Sequence, residues 1–214
     1  MYSKRTYRII AAIVYSGILL FVATYVIATF YYPGGSDYDR GSQGFDWLHN
    51  YWCELLAEKG KNRQLNEARP IAIGAFIVLD ITMLLCWLQA SFLLHAHKFL
   101  KGLLVVCGIA SCISLVLLSS PSHDLVINIS GAFGLTALAL TLYGLFKQRL
   151  HGLFVLGLVC ILLFFLNTYI YYTGTWFDTL AVVQKISFAA FLSWFWQVAG
   201  AMKNQTRSPL PPGW

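Results

Sequence analysis

Four side chains of the types that bind zinc occur in two short polar segments of the sequence. Imidazole nitrogen, thiolate sulfur and carboxylate oxygen are the ligand atoms that zinc takes in proteins. The candidate metal ligands are His49, Cys53, His123 and Asp124. These residues therefore make zinc a possible cofactor.

A histidine that is oriented by a carboxylate could instead act as a general base. His123 is followed directly by Asp124, and His49 comes three residues after Asp46. The sequence contains no H-E-x-x-H, G-x-S-x-G or Walker A motif and no Rossmann glycine pattern. His123, Asp124 and His49 are therefore candidate catalytic residues without an assigned reaction.

Two ionisable residues lie inside long apolar segments. Asp80 comes nine residues after Ile71, and this helical rise of about 14 Å places it near the middle of a bilayer. An isolated charge at that depth costs at least about 2.5–3.5 kcal/mol. We expect Asp80 and Lys185 to face the bundle interior and to interact, either as a structural ion pair or within a site. Alternatively, Lys185 extends to the interface and Asp80 is neutral.

The elements that would position these residues are membrane helices. The chain of 214 residues is 58% hydrophobic and 11% charged, whereas an average soluble domain has about 25% charged residues. Lipid must therefore be its main solvent, and an all-α, polytopic bundle of six transmembrane helices is predicted as one domain over residues 1–202. The predicted spans are 9–32, 71–94, 103–120, 125–146, 153–172 and 180–202, and residues 33–70 form the first outer loop, loop 1.

Basic residues predict the orientation of this bundle. They precede helix 1, join helices 2 and 3 and helices 4 and 5, and follow helix 6, in segments without an acid. The positive-inside rule therefore places both termini in the cytoplasm, although loop 1 also carries basic residues among its acids. The net charge of +6 reflects these topology signals and excludes a nucleic-acid partner. The tail, residues 203–214, is predicted to be disordered in the cytoplasm.

Loop 1 contains one segment with helical periodicity. In residues 45–57, Phe45, Leu48, Trp52 and Leu55 recur at steps of three and four residues. This spacing predicts a short amphipathic helix that lies in the outer interface. The helix either caps the bundle or contributes side chains to a site.

Polar side chains concentrate toward the outer part of the predicted bundle, with Asp80 deeper than the others. This asymmetry indicates an outward-facing polar cavity that binds or handles a lipid or another amphiphile. The candidate ligand-binding residues are Asp46, His49, Glu54, Asp80, His123, Asp124, Asn128 and Lys185.

The layout resembles an uncharacterised bacterial family of six-helix membrane proteins. The features that carry the resemblance are Tyr32-Pro33 ahead of an aromatic loop segment and a short second outer loop with Pro121 and His123-Asp124. That family is grouped with the DRAM/Sfk-like membrane proteins, and the resemblance extends over roughly residues 9–202. It implies a six-helix membrane fold and, through the wider group, lipid handling.

Ser120 and His123-Asp124 are also faintly similar to the alkaline-ceramidase-like membrane hydrolases. Those enzymes use Ser, Asp and three His around a zinc ion in a seven-helix bundle. The present sequence differs because it has six predicted helices and no histidine in helix 6.

Three functions follow as hypotheses for a multi-pass protein of a bacterial-type cytoplasmic (plasma) membrane. The first is binding or handling of a membrane lipid or amphiphile, without an assigned reaction. The second is a metal- or His-dependent lipid hydrolase or transferase at the outer leaflet. The third is an accessory subunit whose loop 1 binds a membrane protein partner.

Overall fold

The computed structural model describes residues 4–94, 96–116 and 123–205, and the side chains of residues 4, 114–116, 123–124 and 204–205 lie outside that description. Within these ranges the chain is all-α, with isolated β-bridges but no strand. The helices are α1 (Lys4–Thr29), α2 (Ala68–Leu93), α3 (Lys98–Val116), α4 (His123–Lys147), α5 (His151–Thr173) and α6 (Leu180–Gln205), with short 3₁₀ helices at Trp52–Leu56 and Phe177–Thr179.

Five of these helices, α1, α2, α4, α5 and α6, are long and apolar enough to cross a membrane. Lipid offers no hydrogen-bond partner to the backbone, so each apolar segment must satisfy its own peptide groups as a helix. The all-helical, multi-pass class is therefore confirmed. The sixth span, the orientation of the bundle and its single-domain boundary stay predictions.

The helices form a bundle in which neighbours in sequence also pack together. α1 contacts α2 and α6, α3 contacts α2 and α4, and α5 contacts α4 and α6. One apolar core includes Trp87 of α2 and Trp194 of α6. A second core lies under loop 1 and includes Phe21, Tyr25 and Phe76.

The two ends of the bundle are built differently. The loop-1 end carries loop 1 and the connection between α5 and α6. The opposite end carries the short connections at residues 94–97 and 148–150. α5 ends at the loop-1 end with Gly174 in the left-handed conformation (φ 69°), whose N–H donates to the Ile170 carbonyl.

Candidate functional site

Loop 1 does not contain the predicted amphipathic helix over residues 45–57. Only Trp52–Leu56 is helical, as a short 3₁₀ segment. The Asp46 carboxylate accepts the Leu48 N–H at 2.8 Å, and the Asn50 side-chain oxygen accepts the Asp46 N–H at 2.7 Å. Such local bonds compete with the backbone bonds of a helix. Leu48, which the periodicity assigned to the apolar face, is 62% exposed.

Loop 1 instead inserts Trp52 between the ends of the helices. The Trp52 ring lies 5.1 Å from Tyr25 of α1 and 5.1 Å from Phe188 of α6, measured between ring centroids. Phe188 lies eight residues into α6, which is about 12 Å along the helix axis. Loop 1 therefore re-enters the bundle and closes it at this end.

Side chains of the helices satisfy the backbone of this inserted segment. The Trp52 N–H donates to Oε1 of Gln184 at 2.9 Å, and the Tyr25 hydroxyl donates to the Trp52 carbonyl at 2.7 Å. Nζ of Lys185 donates to the Asn50 carbonyl at 2.6 Å. Irregular backbone at membrane depth is tolerated only where protein or water supplies such partners. Gln184 and Lys185 therefore hold loop 1 in place.

The predicted interaction between Asp80 and Lys185 is not formed. Nζ of Lys185 bonds to the carbonyls of Asn50 and Ala181 at 2.6 and 2.9 Å. Asp80 is 7% exposed, and its Oδ1 has no hydrogen-bond partner among the described residues. The depth predicted for both residues from distance along a helix stays a prediction, and that distance does not give the directions in which they face. Asp80 lies on the side of α3, where Cys112 is its electrostatic neighbour.

Glu54 lies in a buried polar network within loop 1. Its Oε2 accepts Nδ2 of Asn50 at 2.5 Å and the Tyr32 hydroxyl at 3.4 Å. Nζ of Lys61 lies 3.4 Å from Oε1 of Glu54 and 2.7 Å from the Asp37 carboxylate. Burial raises the pKa of Glu54, and the Asn50 hydrogen bond and the Lys61 charge oppose that shift. The network links parts of loop 1 and leaves Glu54 no opening toward a ligand.

His49 and Asp46 form a close pair at the surface of loop 1. Nδ1 of His49 lies 2.7 Å from Oδ2 of Asp46, and the His49 ring stacks on Tyr38 with centroids 4.4 Å apart. Desolvation acts to raise the pKa of Asp46, but the hydrogen bonds from His49 and from the Leu48 N–H hold it below its usual value. A carboxylate thus orients this histidine. The side chains of His123 and Asp124, predicted to share its site, lie outside the described residues.

The remaining candidates are placed apart from this pair. Within the described part of the chain, no group of three or more His, Cys, Asp or Glu side chains could hold a metal ion. Cys53 is a free thiol beside Gln184. Desolvation raises its pKa to about 11, so little thiolate forms at neutral pH. Nδ2 of Asn128 donates to the Tyr172 hydroxyl at 2.7 Å on the exposed surface.

A pocket of about 500 Å³ lies beside loop 1, where α2 begins, and none of the predicted ligand-binding residues lines it. Two acids, two bases and an exposed leucine surround it. The lining residues are Glu58, Lys59, Leu65, Asn66, Glu67, Arg69 and Pro70. We call it the outer pocket, after the predicted orientation of loop 1.

The walls of the outer pocket are fixed by backbone contacts. Nδ2 of Asn66 donates to the carbonyls of Glu54, Leu55 and Ala57 at 3.1, 3.2 and 2.9 Å. Nε of Arg69 donates to a loop carbonyl at 3.1 Å, which orients its guanidinium toward the pocket rim. The walls therefore exist before any ligand binds.

The charges of the outer pocket are only loosely paired. Nη1 of Arg69 lies 3.5 Å from the Glu58 carboxylate, whose side chain is largely exposed. Glu67 precedes α2 without a capping hydrogen bond from its side chain, and Lys59 is exposed. In the sequence, these residues stand out only as exceptions to the positive-inside rule. The mixture of acidic and basic residues immediately before an apolar span is the sequence signal that marks the pocket.

The five long apolar helices define the chain as an integral, multi-pass membrane protein. Comparisons with protein-family models, with curated proteins and with solved structures each find no match. The resemblance to the six-helix family grouped with the DRAM/Sfk-like proteins therefore stays a prediction.

Proposed function

We propose that the protein binds a zwitterionic phospholipid, or an amphiphile with a similar headgroup, in the outer pocket. The observation that carries the proposal is the presence of both charges around one pocket where α2 begins. Such a headgroup consists of a phosphate and an ammonium group. Arginine binds phosphate through its planar set of donors, and a carboxylate accepts hydrogen bonds from an ammonium group.

The side chains divide between these two groups. Arg69 and Lys59 would contact the phosphate, while Glu67 and Glu58 would contact the ammonium. Leu65 is 74% exposed at the same pocket, and it gives the apolar part of the ligand a surface to cover. A single exposed leucine is common on a protein surface, so the two pairs of opposite charges carry the proposal and Leu65 adds apolar contact.

The proposed ligand site replaces the interior cavity that the polar residues suggested. Glu54 and Lys185 are bound within loop 1 and to its backbone, so they position the loop beside the pocket. The positive-inside rule places this pocket at the extracytoplasmic leaflet of a bacterial-type membrane. No reaction is assigned to it.

One observation favours the accessory-subunit alternative. Tyr38, Trp47 and Leu48 are large side chains of loop 1 that remain exposed, while the bundle beneath is closed by Trp52. Such a surface could contact a membrane protein partner. The hydrolase alternative rests on the His49–Asp46 pair alone.

The test measures lipid retention by native mass spectrometry after reconstitution in a mixture of phosphatidylethanolamine and phosphatidylglycerol. The double variant Lys59→Gln/Glu67→Gln removes one charge of each sign and keeps the net charge. We expect it to retain roughly tenfold less phosphatidylethanolamine, because two ionic contacts are lost.

The matched control is Arg40→Gln/Asp178→Asn, a second pair of opposite charges at the loop-1 end but outside the pocket. It should retain lipid as the wild type does. Equal losses in both double variants would overturn the proposal. A wild type that retains no amphiphile would also overturn it and would favour the accessory-subunit alternative.

A further inference from the structure

A surface groove lies toward the opposite end of the bundle, between α3 and α4. It has a volume of about 580 Å³ and an almost entirely apolar surface. Its lining residues are Leu100, Leu135, Thr136, Ala139, Leu140 and Tyr143. We call it the α3–α4 groove.

The groove begins where the close contact between the two helices ends. The Ser130 hydroxyl donates to the Ser111 carbonyl at 3.0 Å, and a Cβ added at Gly134 would lie 3.1 Å from Oγ of Ser111. Toward the opposite end, the larger side chains Leu135 and Leu100 replace these small residues. The space left between the helices opens at the surface of the bundle.

The walls of the groove are held by the end of α4. Nε2 of Gln148 donates to the Leu93 carbonyl at the end of α2. A Cβ at Gly144 would lie 3.0 Å from the same carbonyl, so α4 lies directly against the connection between α2 and α3. The groove is therefore preformed and does not depend on a flexible segment.

One lysine continues the lining of the groove at its polar end. Thr136, Leu140, Tyr143 and Lys147 follow one another at helical spacing on one face of α4. Nζ of Lys147 lies 5.6 Å from the centre of the Tyr143 ring. An apolar surface in the groove thus leads directly to a positive charge.

The surroundings of Lys147 carry positive charge alone. The connections at this end, residues 94–102 and 146–152, contain basic residues and no Asp or Glu. An ammonium headgroup would find no carboxylate there, whereas an anionic headgroup would be attracted from every side. Basic pockets between membrane helices recognise anionic phospholipids by this charge pattern.

We infer that the α3–α4 groove binds one acyl chain of an anionic phospholipid, whose phosphate contacts Lys147. This site differs from the outer pocket in its residues, its end of the bundle and its headgroup. It does not depend on the function proposed above.

The test compares phosphatidylglycerol with phosphatidylcholine on the full-length protein in nanodiscs, with bound lipid counted by native mass spectrometry. Lys147→Gln should lower the preference for phosphatidylglycerol about fivefold, since one lysine near an anionic surface contributes about 1 kcal/mol. Arg8→Gln is the matched control, because it removes one positive charge from an exposed position at the same end of the bundle, on α1, which packs on α2 and α6 and not beside the groove. It should change the preference less than about twofold.

A second variant tests the acyl chain separately from the charge. Ala139→Phe fills the groove from an exposed position and should reduce retention of either lipid at this site. An unchanged melting midpoint would show that the variant is folded, and Ala139→Leu is the smaller alternative. Equal effects of Lys147→Gln and Arg8→Gln would indicate diffuse surface charge and overturn the inference. Undiminished retention in a folded Ala139→Phe would overturn it as well.

Discussion

The two ends of the bundle differ in what their lysines contact. At the loop-1 end, Gln184 and Lys185 bond to backbone groups 132 and 135 residues away in sequence. At the opposite end, Gln148 makes a comparable bond to the Leu93 carbonyl, and the Arg149 N–H donates locally to the Phe146 carbonyl. There Lys147 is exposed beside an open groove.

The difference separates two kinds of polar residue in a membrane protein. A buried polar side chain at the loop-1 end replaces the water that an irregular backbone would otherwise need. In the site inferred at the α3–α4 groove, the exposed Lys147 would instead donate to a ligand. Whether a polar side chain already has a protein partner is therefore a better guide to ligand binding than its predicted depth in the membrane.

The largest expected difference between the two ends is in the free energy of unfolding lost when an aromatic side chain is replaced by alanine. Trp52→Ala should lower the free energy of unfolding by about 3–5 kcal/mol, because it empties the space between α1 and α6. The apparent melting midpoint in detergent would fall by roughly 6–20 °C. Tyr143→Ala, at a side chain that is 45% exposed, should change the midpoint by less than about 2 °C. Similar falls for both variants would contradict the proposed difference between the ends.

A smaller difference in melting midpoint is expected when one lysine at each end is replaced by methionine. Lys185→Met leaves the Asn50 carbonyl without this donor and should cost about 1–3 kcal/mol, or roughly 2–12 °C in melting midpoint. Lys147→Met should leave the midpoint unchanged and reduce only phosphatidylglycerol binding. If Lys185→Met melts like the wild type, its bond to loop 1 contributes nothing to closure.

The smallest effect depends on pH and is confined to the loop-1 end. Because burial raises the pKa of Glu54, the folded state holds its proton more tightly than the unfolded state does. The stability that this group contributes is therefore present below its ordinary pKa and lost as pH rises through the raised value. Glu54→Gln keeps an acceptor for Asn50 and should melt higher than the wild type by roughly 2 °C at neutral pH.

Melting curves of both proteins from acidic to neutral pH provide the measurement. The advantage of Glu54→Gln should shrink as the pH falls, because protonated Glu54 resembles the amide. A difference that does not vary with pH would contradict this prediction. Lys61 retains its contact with Asp37 in the variant, so loss of the Lys61–Glu54 contact leaves that lysine paired.

The helical fold could be predicted from the sequence because lipid removes every alternative for a long apolar segment. Each of α1, α2, α4, α5 and α6 follows from its own composition, without knowledge of its neighbours. Loop 1 could not be predicted in this way. Its periodicity favoured a helix over residues 45–57, but Asn50 bonds to the Gly35 carbonyl and to Glu54 instead. The Asp and Asn residues in that segment were the sequence signal against a helix, because their side chains compete for backbone hydrogen bonds.

The candidate sites were harder to predict for a related reason. Asp80 and Lys185 stand out in the sequence as ionisable residues within apolar segments, but their partners depend on which way each helix faces. The outer pocket and the α3–α4 groove are formed by residues that carry no motif. Lys147 was read as an orientation signal, and its position at the end of a groove becomes visible only when α3 and α4 are placed side by side.

The re-entry of Trp52 also sets an order for biosynthesis. Gln184, which accepts the Trp52 N–H, is made 132 residues later, and at about 5–20 residues per second this delay is roughly 7–26 s. In the predicted orientation, loop 1 crosses the membrane before α6 is made, and its peptide groups lack these partners until α6 is inserted. In that orientation, a chain that stops before α6 would leave this segment accessible to proteases outside the cytoplasm, so proteolysis of loop 1 would measure the insertion of α6.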